Sequence, residues 1–118
     1  MQQVMVIEIG TGVDLHGQDM TRAAVRAARD AIGRNSLPGM RTVLPQADIN
    51  RMQVRATLAA PRPEEIDAEA VRAVFPYGQV EIRCVAGGMS AQSGVVLPEK
   101  GDRSDELLIV NAVVEVGY

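Results

Sequence analysis

The segment from Glu106 to Val116 constrains the fold more than any other part of this 118-residue chain. Read at the strand period of two, Leu108, Val110, Ala112, Val114 and Val116 fall on one face, and Leu107, Ile109 and Val113 fall on the other. A strand that is apolar on both faces needs cover on both. The length suits one domain, residues 1–118, and leaves no room for a second. The chain's own helices must therefore cover one face, and something else must cover the other.

The remaining elements follow from periodicity and punctuation. A first strand is expected from Gln3 to Ile9, with Met5, Ile7 and Ile9 toward the core and Val4, Val6 and Glu8 away from it. A helix follows from about Met20 to Ile32, with Asp19 as N-cap and Gly33 at the C′ position. Its apolar stripe is Thr21, Ala24, Val25, Ala28 and Ile32, while Arg22, Arg26, Arg29 and Asp30 face water. Asn35-Ser36-Leu37-Pro38-Gly39 reads as a turn, and Arg41 to Asn50 as irregular. Arg51 to Ala60 alternates as a strand that Pro61 and Pro63 end. Pro63, Glu64 and Glu65 open a second helix with Ile66, Ala70, Val74 and Phe75 inward, stopped by Pro76-Tyr77-Gly78. Val80 to Val85 is a third strand, broken by Gly87-Gly88. Lys100-Gly101-Asp102-Arg103 is a charged turn before the last strand. The order is β-α-β-α-β-β: an α+β fold, with a four-stranded sheet and two helices on one face. Two helices cover only one face. The expectation is therefore a homo-oligomer assembled through the open sheet face.

Several function classes carry little support. The twelve basic residues are scattered without aromatic interleaving, and the net charge is −3, so nucleic acid is not an expected partner. No apolar run approaches 18 residues and no leader pattern opens the chain, so no membrane is expected and the protein reads as cytoplasmic. The single cysteine, Cys84, allows no internal disulfide and reads as a small core hydrophobe.

The chemistry concentrates in Gly10-Thr11-Gly12-Val13-Asp14-Leu15-His16-Gly17. Read as a loop between strand and helix, its glycines permit unusual backbone conformations and close approach to a ligand. Asp14 and His16 lie two residues apart and project to one side of an extended chain. A carboxylate there orients the imidazole and fixes its tautomer, for acid–base catalysis or for holding a divalent metal. A metal is the minor reading. His16 is the only histidine, and further ligands would have to be carboxylates such as Glu8 or groups of another subunit. The spacing is neither that of a dinucleotide fingerprint nor that of a P-loop. A plain structural reading stands beside these, with Asp14 capping backbone amides and His16 closing a hydrogen bond. Gly87 to Gly94 offers Ser90 and Ser93 as hydroxyl donors to an anion, or simply forms a hairpin loop. Glu8, if its face is buried, needs an arginine partner or a proton. Asn111 sits among apolar neighbours and serves a site or a structural hydrogen bond.

The chain resembles a small Lin-type family of uncharacterised proteins from bacteria and plants. The resemblance rests on Gly10, Gly12, Asp14, His16 and Gly17 as Gly-x-Gly-x-Asp-x-His-Gly. It extends to Asn35–Gly39, Phe75-Pro76-Tyr77-Gly78, Gly87-Gly88 with Ser93-Gly94, and the ending from Ile109 to Tyr118. It implies an α+β plait of the tubulin/FtsZ C-terminal or chorismate-mutase-like type, and it implies no particular reaction or cofactor.

Two functional classes stay open. In one, the protein is an oligomeric enzyme for a small polar or anionic metabolite, with His16 as general acid or base, Asp14 as its orienter, and Gly10, Thr11, Gly12 and Gly17 as a backbone cradle. Ser90, Ser93 and Asn111 are further ligand-binding candidates. In the other, the same loop grips a metabolite without catalysis, as a regulatory or binding module. A blander third reading leaves the loop shaping a subunit interface.

Overall fold

The strand apolar on both faces, β5 (Glu106–Gly117), is the central strand of a five-stranded sheet. A computed structural model describes the whole chain, Met1–Tyr118. On one edge β5 pairs antiparallel with β1 (Val4–Asp14), from Val4 opposite Gly117 to Asp14 opposite Leu108. On its other edge it pairs antiparallel with β2 (Gln53–Ala60), and β3 (Gln79–Ala86) lies parallel to β2. The four strands expected from sequence are thus joined by a fifth, β4 (Met89–Gln92). Pairing of β2 with β5 stops at Ala59 opposite Asn111. That leaves the edge of β5 from Ile109 back to Glu106 unpaired. The chain crosses at Gly87 and Gly88, where the Gly87 N–H donates to Ala60 O at 2.9 Å, and β4 fills the vacancy.

The larger correction concerns β1. It does not end at Ile9 but runs through Gly10, Thr11 and Gly12 to Asp14, so most of the expected loop is strand. Its faces are also the reverse of those expected. Glu8, Gly10, Gly12 and Asp14 are buried, whereas Met5, Ile7 and Ile9 point outward at 46%, 61% and 69% exposure. The reason lies in α1 (Met20–Ile32), which presents Ala23, Ala24, Ala27, Ala28 and Ala31 to the sheet. A Cβ on Gly10 would sit 2.3 Å from the Ala27 carbonyl oxygen, and one on Gly12 would sit 2.0 Å from that of Ala23. Glycine on the strand and alanine on the helix let the two backbones meet, which no larger pair would allow.

Helix α1 occupies the span its spacing predicts, and the Asp19 side chain accepts from the Arg22 N–H at 3.0 Å. Gly33 closes it in a right-handed conformation, not the left-handed one of a C′ glycine. A short helix α2 (Met40–Val43) lies in the segment expected to be irregular. The expected second helix is broken into a 3₁₀ turn at Pro63–Glu65 and α3 (Ala68–Arg72). Thr21 of α1 explains the break: its hydroxyl accepts from the Asp67 N–H at 2.9 Å and donates to Glu65 O at 3.3 Å. Asp67 then caps α3 by accepting from the Glu69 N–H.

The helices cover one face only. The opposite face carries Met5, Ile7, Ile9, Val113 and Val85, all more than a third exposed. No helix is long and apolar enough to cross a membrane.

Because the α1–β1 contact tolerates no Cβ at these two positions, Gly10→Ala and Gly12→Ala should each lower unfolding free energy by about 2–4 kcal/mol. Urea denaturation checks this. An unchanged midpoint in either variant would contradict backbone contact as the reason for glycine.

Candidate functional site

Pairing of the first strand with the last decides what surrounds His16. Because Asp14 lies opposite Leu108, the residues that leave β1 meet those that enter β5. The turn at Pro98–Lys100 and the left-handed Gly101 bring Asp102 under the segment His16–Gln18. Asp102 is enclosed there and accepts four hydrogen bonds: from the Leu97 N–H at 2.8 Å, the Gly17 N–H at 2.7 Å, Gln18 Nε2 at 3.0 Å and His16 Nδ1 at 2.7 Å. Backbone donors and the side chains of His16 and Gln18 hold its carboxyl well below the usual carboxylate range, against the opposing effect of burial.

An ionised carboxylate only accepts. The proton in the His16–Asp102 bond therefore belongs to Nδ1. In the uncharged ring the lone pair is then on Nε2, which makes no hydrogen bond within the chain. The carboxylate that orients His16 is Asp102 and not Asp14, which corrects the sequence expectation. Asp14 accepts from the Asp19 N–H at 2.9 Å and lies 3.5 Å from Arg26 and 3.6 Å from Arg22. It organises the first turns of α1 instead.

Gln18 completes the loop. It adopts a positive φ of 50°, is 5% exposed, and spends both ends of its amide on the far segment. Its Nε2 donates to Glu106 O at 2.8 Å, and its Oε1 accepts from the Arg103 N–H at 2.9 Å. A left-handed conformation at a non-glycine residue is costly and persists here because these bonds over-determine it.

His16 and Asp14 open onto one shallow cleft of about 660 Å³, together with Arg22, Arg26 and Lys100. The arginines that sequence reasoning assigned to a solvated face thus line the site. Counting Asp102 behind the ring, three cations meet two carboxylates. Arg26 is anchored by donating from Nη1 to Val13 O at 2.7 Å.

The other candidates lie elsewhere. Gly10 and Gly12 are sealed beneath α1 and cradle nothing. Gly17 does belong to the loop, with φ +101° and its N–H on Asp102. Thr11 and Asn111 face each other on the exposed sheet face, with Asn111 Nδ2 3.4 Å from Thr11 Oγ1. Ser90 donates to Glu106 Oε2 at 2.5 Å, in a cluster where Arg62 holds Glu106 below its ordinary range. Ser93 closes a local turn with Val95. None of Ser90, Ser93 and Asn111 lines the cleft. No group of three or more His, Cys, Asp or Glu side chains is placed to hold a metal ion.

Sequence reasoning missed Asp102, Gln18 and Lys100. The signal that could have found them is the register of β1 on β5, which brings 15–18 against the turn before Glu106.

Comparison with known proteins identifies a family and solved structures that this chain resembles. A family model described as a conserved hypothetical protein family, Lin0512, matches residues 4–116. A crystal structure of an FtsZ-like protein of unknown function from Nostoc punctiforme is 41% identical. It aligns with a TM-score of 0.88 over 97% of this chain and 93% of that one. No curated protein matches.

The depressed Asp102 carboxyl gives a signed prediction. Its stabilising contribution is complete above the unfolded value, near pH 4, and is lost as the pH falls below that toward the folded value. The stability difference between wild type and Asp102→Asn should shrink as the pH falls from about 5 to below 4. Urea midpoints across this range test it, and a difference that grows on acidification would contradict it.

Proposed function

We propose, for a chain that belongs to the Lin0512 family of conserved hypothetical proteins, that the cleft beside His16 binds a small anionic metabolite and that His16 Nε2 exchanges a proton with it. The observation that carries this reading is the 2.7 Å bond between His16 Nδ1 and Asp102. That bond leaves the other ring nitrogen free in a cleft rimmed by Arg22, Arg26 and Lys100. Guanidinium groups suit carboxylate and phosphate, and a histidine fixed at one nitrogen suits proton transfer at the other.

A non-catalytic binding module is the second reading, favoured by one feature. Apart from His16, the cleft offers no carboxyl free to act as a second acid or base, since Asp14 is engaged by the Asp19 amide and the two arginines. For the fold, we read the sheet as a plait of the tubulin/FtsZ C-terminal type with β4 added to it. The mixed α+β order and the FtsZ-like relative support this.

Calorimetric titration with inorganic phosphate and malonate at low salt separates these readings. Arg22→Ala/Arg26→Ala should weaken anion binding about tenfold or more. His16→Ala should leave anion affinity within a few-fold and reduce turnover of a responsive substrate by about 10²–10⁴. Undiminished turnover in that variant removes His16 from the chemistry, saturable anion binding without turnover of any substrate leaves the binding module, and undiminished binding in the arginine variant removes the cleft.

We further propose that copies of this chain cover one another's open sheet faces. Met5, Ile7, Ile9 and Val113 form the apolar part. The charges beside them are neutralised in place: Arg55 pairs with Glu81 at 3.5 Å and with Glu115 at 3.6 Å, and Arg83 with Glu81 at 2.8 Å. Identical faces can therefore meet without repulsion. Light scattering at micromolar concentration should give a multiple of the chain mass, and Ile7→Glu/Ile9→Glu should reduce it to one chain. A monomeric wild type would refute the assembly.

A further inference from the structure

The helix-covered side of the sheet contains a second cavity, at the opposite end of α1 from His16. A half-open pocket of about 170 Å³ lies among Ile32, Leu37, Met52, Phe75 and Tyr77, with Glu8 in its wall. Glu8 and Asp14 lie six residues apart on β1, so the two sites are separated by about 20 Å. A dry cavity of about 150 Å³ holds benzene, which sets the scale of an occupant.

Glu8 is an unusual residue to find there. It is 5% exposed, and one oxygen, Oε2, accepts from Asn35 Nδ2 at 2.6 Å. The other oxygen, Oε1, has no partner in the chain. No buried side-chain oxygen or nitrogen is sealed off without one, so Oε1 reaches the cavity. No cationic side chain attends Glu8, and burial pushes its carboxyl up against the opposing hydrogen bond from Asn35. The surroundings favour a positive charge in other respects. The cavity abuts the C-terminal end of α1, whose Ala31 carbonyl is among the last of the helix, and the Phe75 and Tyr77 rings lie in its wall.

We propose that this cavity binds a small organic ammonium, its charged head on Glu8 Oε1 and an apolar body of roughly six to eight heavy atoms against Met52 and Phe75. The ammonium supplies the counter-charge that the fold withholds from a buried carboxyl. The apolar body replaces contacts that an empty cavity lacks.

Methyl NMR titrations test this with four probes: benzylammonium, butylammonium, benzyl alcohol and butyrate. Both ammonium ions should shift the methyl signals of Met52, Val54 and Val114 saturably. Benzyl alcohol should bind about tenfold more weakly or worse, and butyrate should give no saturable shift. Glu8→Gln should weaken benzylammonium by at least about tenfold. Equal affinity for benzyl alcohol and benzylammonium would overturn the proposal, as would ammonium shifts that map to the His16 cleft or an undiminished affinity in Glu8→Gln. If that variant does not fold, the ranking of the four probes on wild type decides alone.

Discussion

The contact of α1 on β1 is what the rest of the molecule depends on. Backbone meets backbone there because the strand offers Gly10 and Gly12 and the helix offers alanines. A core with so few aromatic side chains gains from such closeness, since dispersion and exclusion of water both rise as surfaces meet without gaps. The same contact sets the register of everything functional. It turns Glu8, Gly10, Gly12 and Asp14 toward the helix, placing one carboxyl near each end of it. It also brings Arg22 and Arg26, one helical turn apart, to the Asp14 side chain. A larger residue at either glycine would lift the helix and change the distances in both cavities at once.

The second constraint is closure between the two ends of the chain. His16 and Asp102 are 86 positions apart and meet only because β1 pairs along β5. Gln18 reinforces the closure through side-chain bonds to Asp102, Arg103 and Glu106. The loop at His16 is therefore rigid by construction, and Arg26 is anchored on Val13 O, whereas Arg22 is half exposed and weakly paired. A fixed imidazole beside one adjustable cation suits a site that orients one reacting atom and tolerates variation in the rest of its ligand.

Much of this was legible in the sequence, and the failures share a cause. The helix from Met20 to Ile32, its Asp19 cap and the two-sided β5 follow from local periodicity and capping chemistry, and the structure agrees. The extent and facing of β1 do not. Gly-x-Gly reads locally as a loop, yet here glycine marks where another backbone approaches, and that depends on a helix which has not yet been placed. The interruption at Ile66 likewise depends on Thr21, more than forty residues away. The motif was found because Asp14, His16 and Gly17 carry chemistry in themselves. Asp102 was not, because an aspartate in a charged turn looks the same whether it faces water or a buried imidazole.

The three buried carboxyls differ in how completely the fold satisfies them, and this separates scaffold from site. Asp102 has four donors and needs nothing more. Its role is to hold a ring. Asp14 has one amide and two guanidinium groups at 3.5 and 3.6 Å, of which Arg26 is held on Val13 O and Arg22 is free to turn toward a bound anion. Glu8 has a single amide and no cation, although it is as enclosed as Gln18. Burying a carboxyl with so little compensation lowers stability, and a purely structural position would be better served by an apolar side chain. The deficit increases from Asp102 through Asp14 to Glu8, and so does the free energy a ligand of the right charge can recover there. At one end of α1 the unfinished groups are cations with a free imidazole nitrogen. At the other it is a carboxyl oxygen, Glu8 Oε1, beside the C-terminal end of the helix. The helix dipole favours negative charge at the first end and positive charge at the second, which is the division these side chains make.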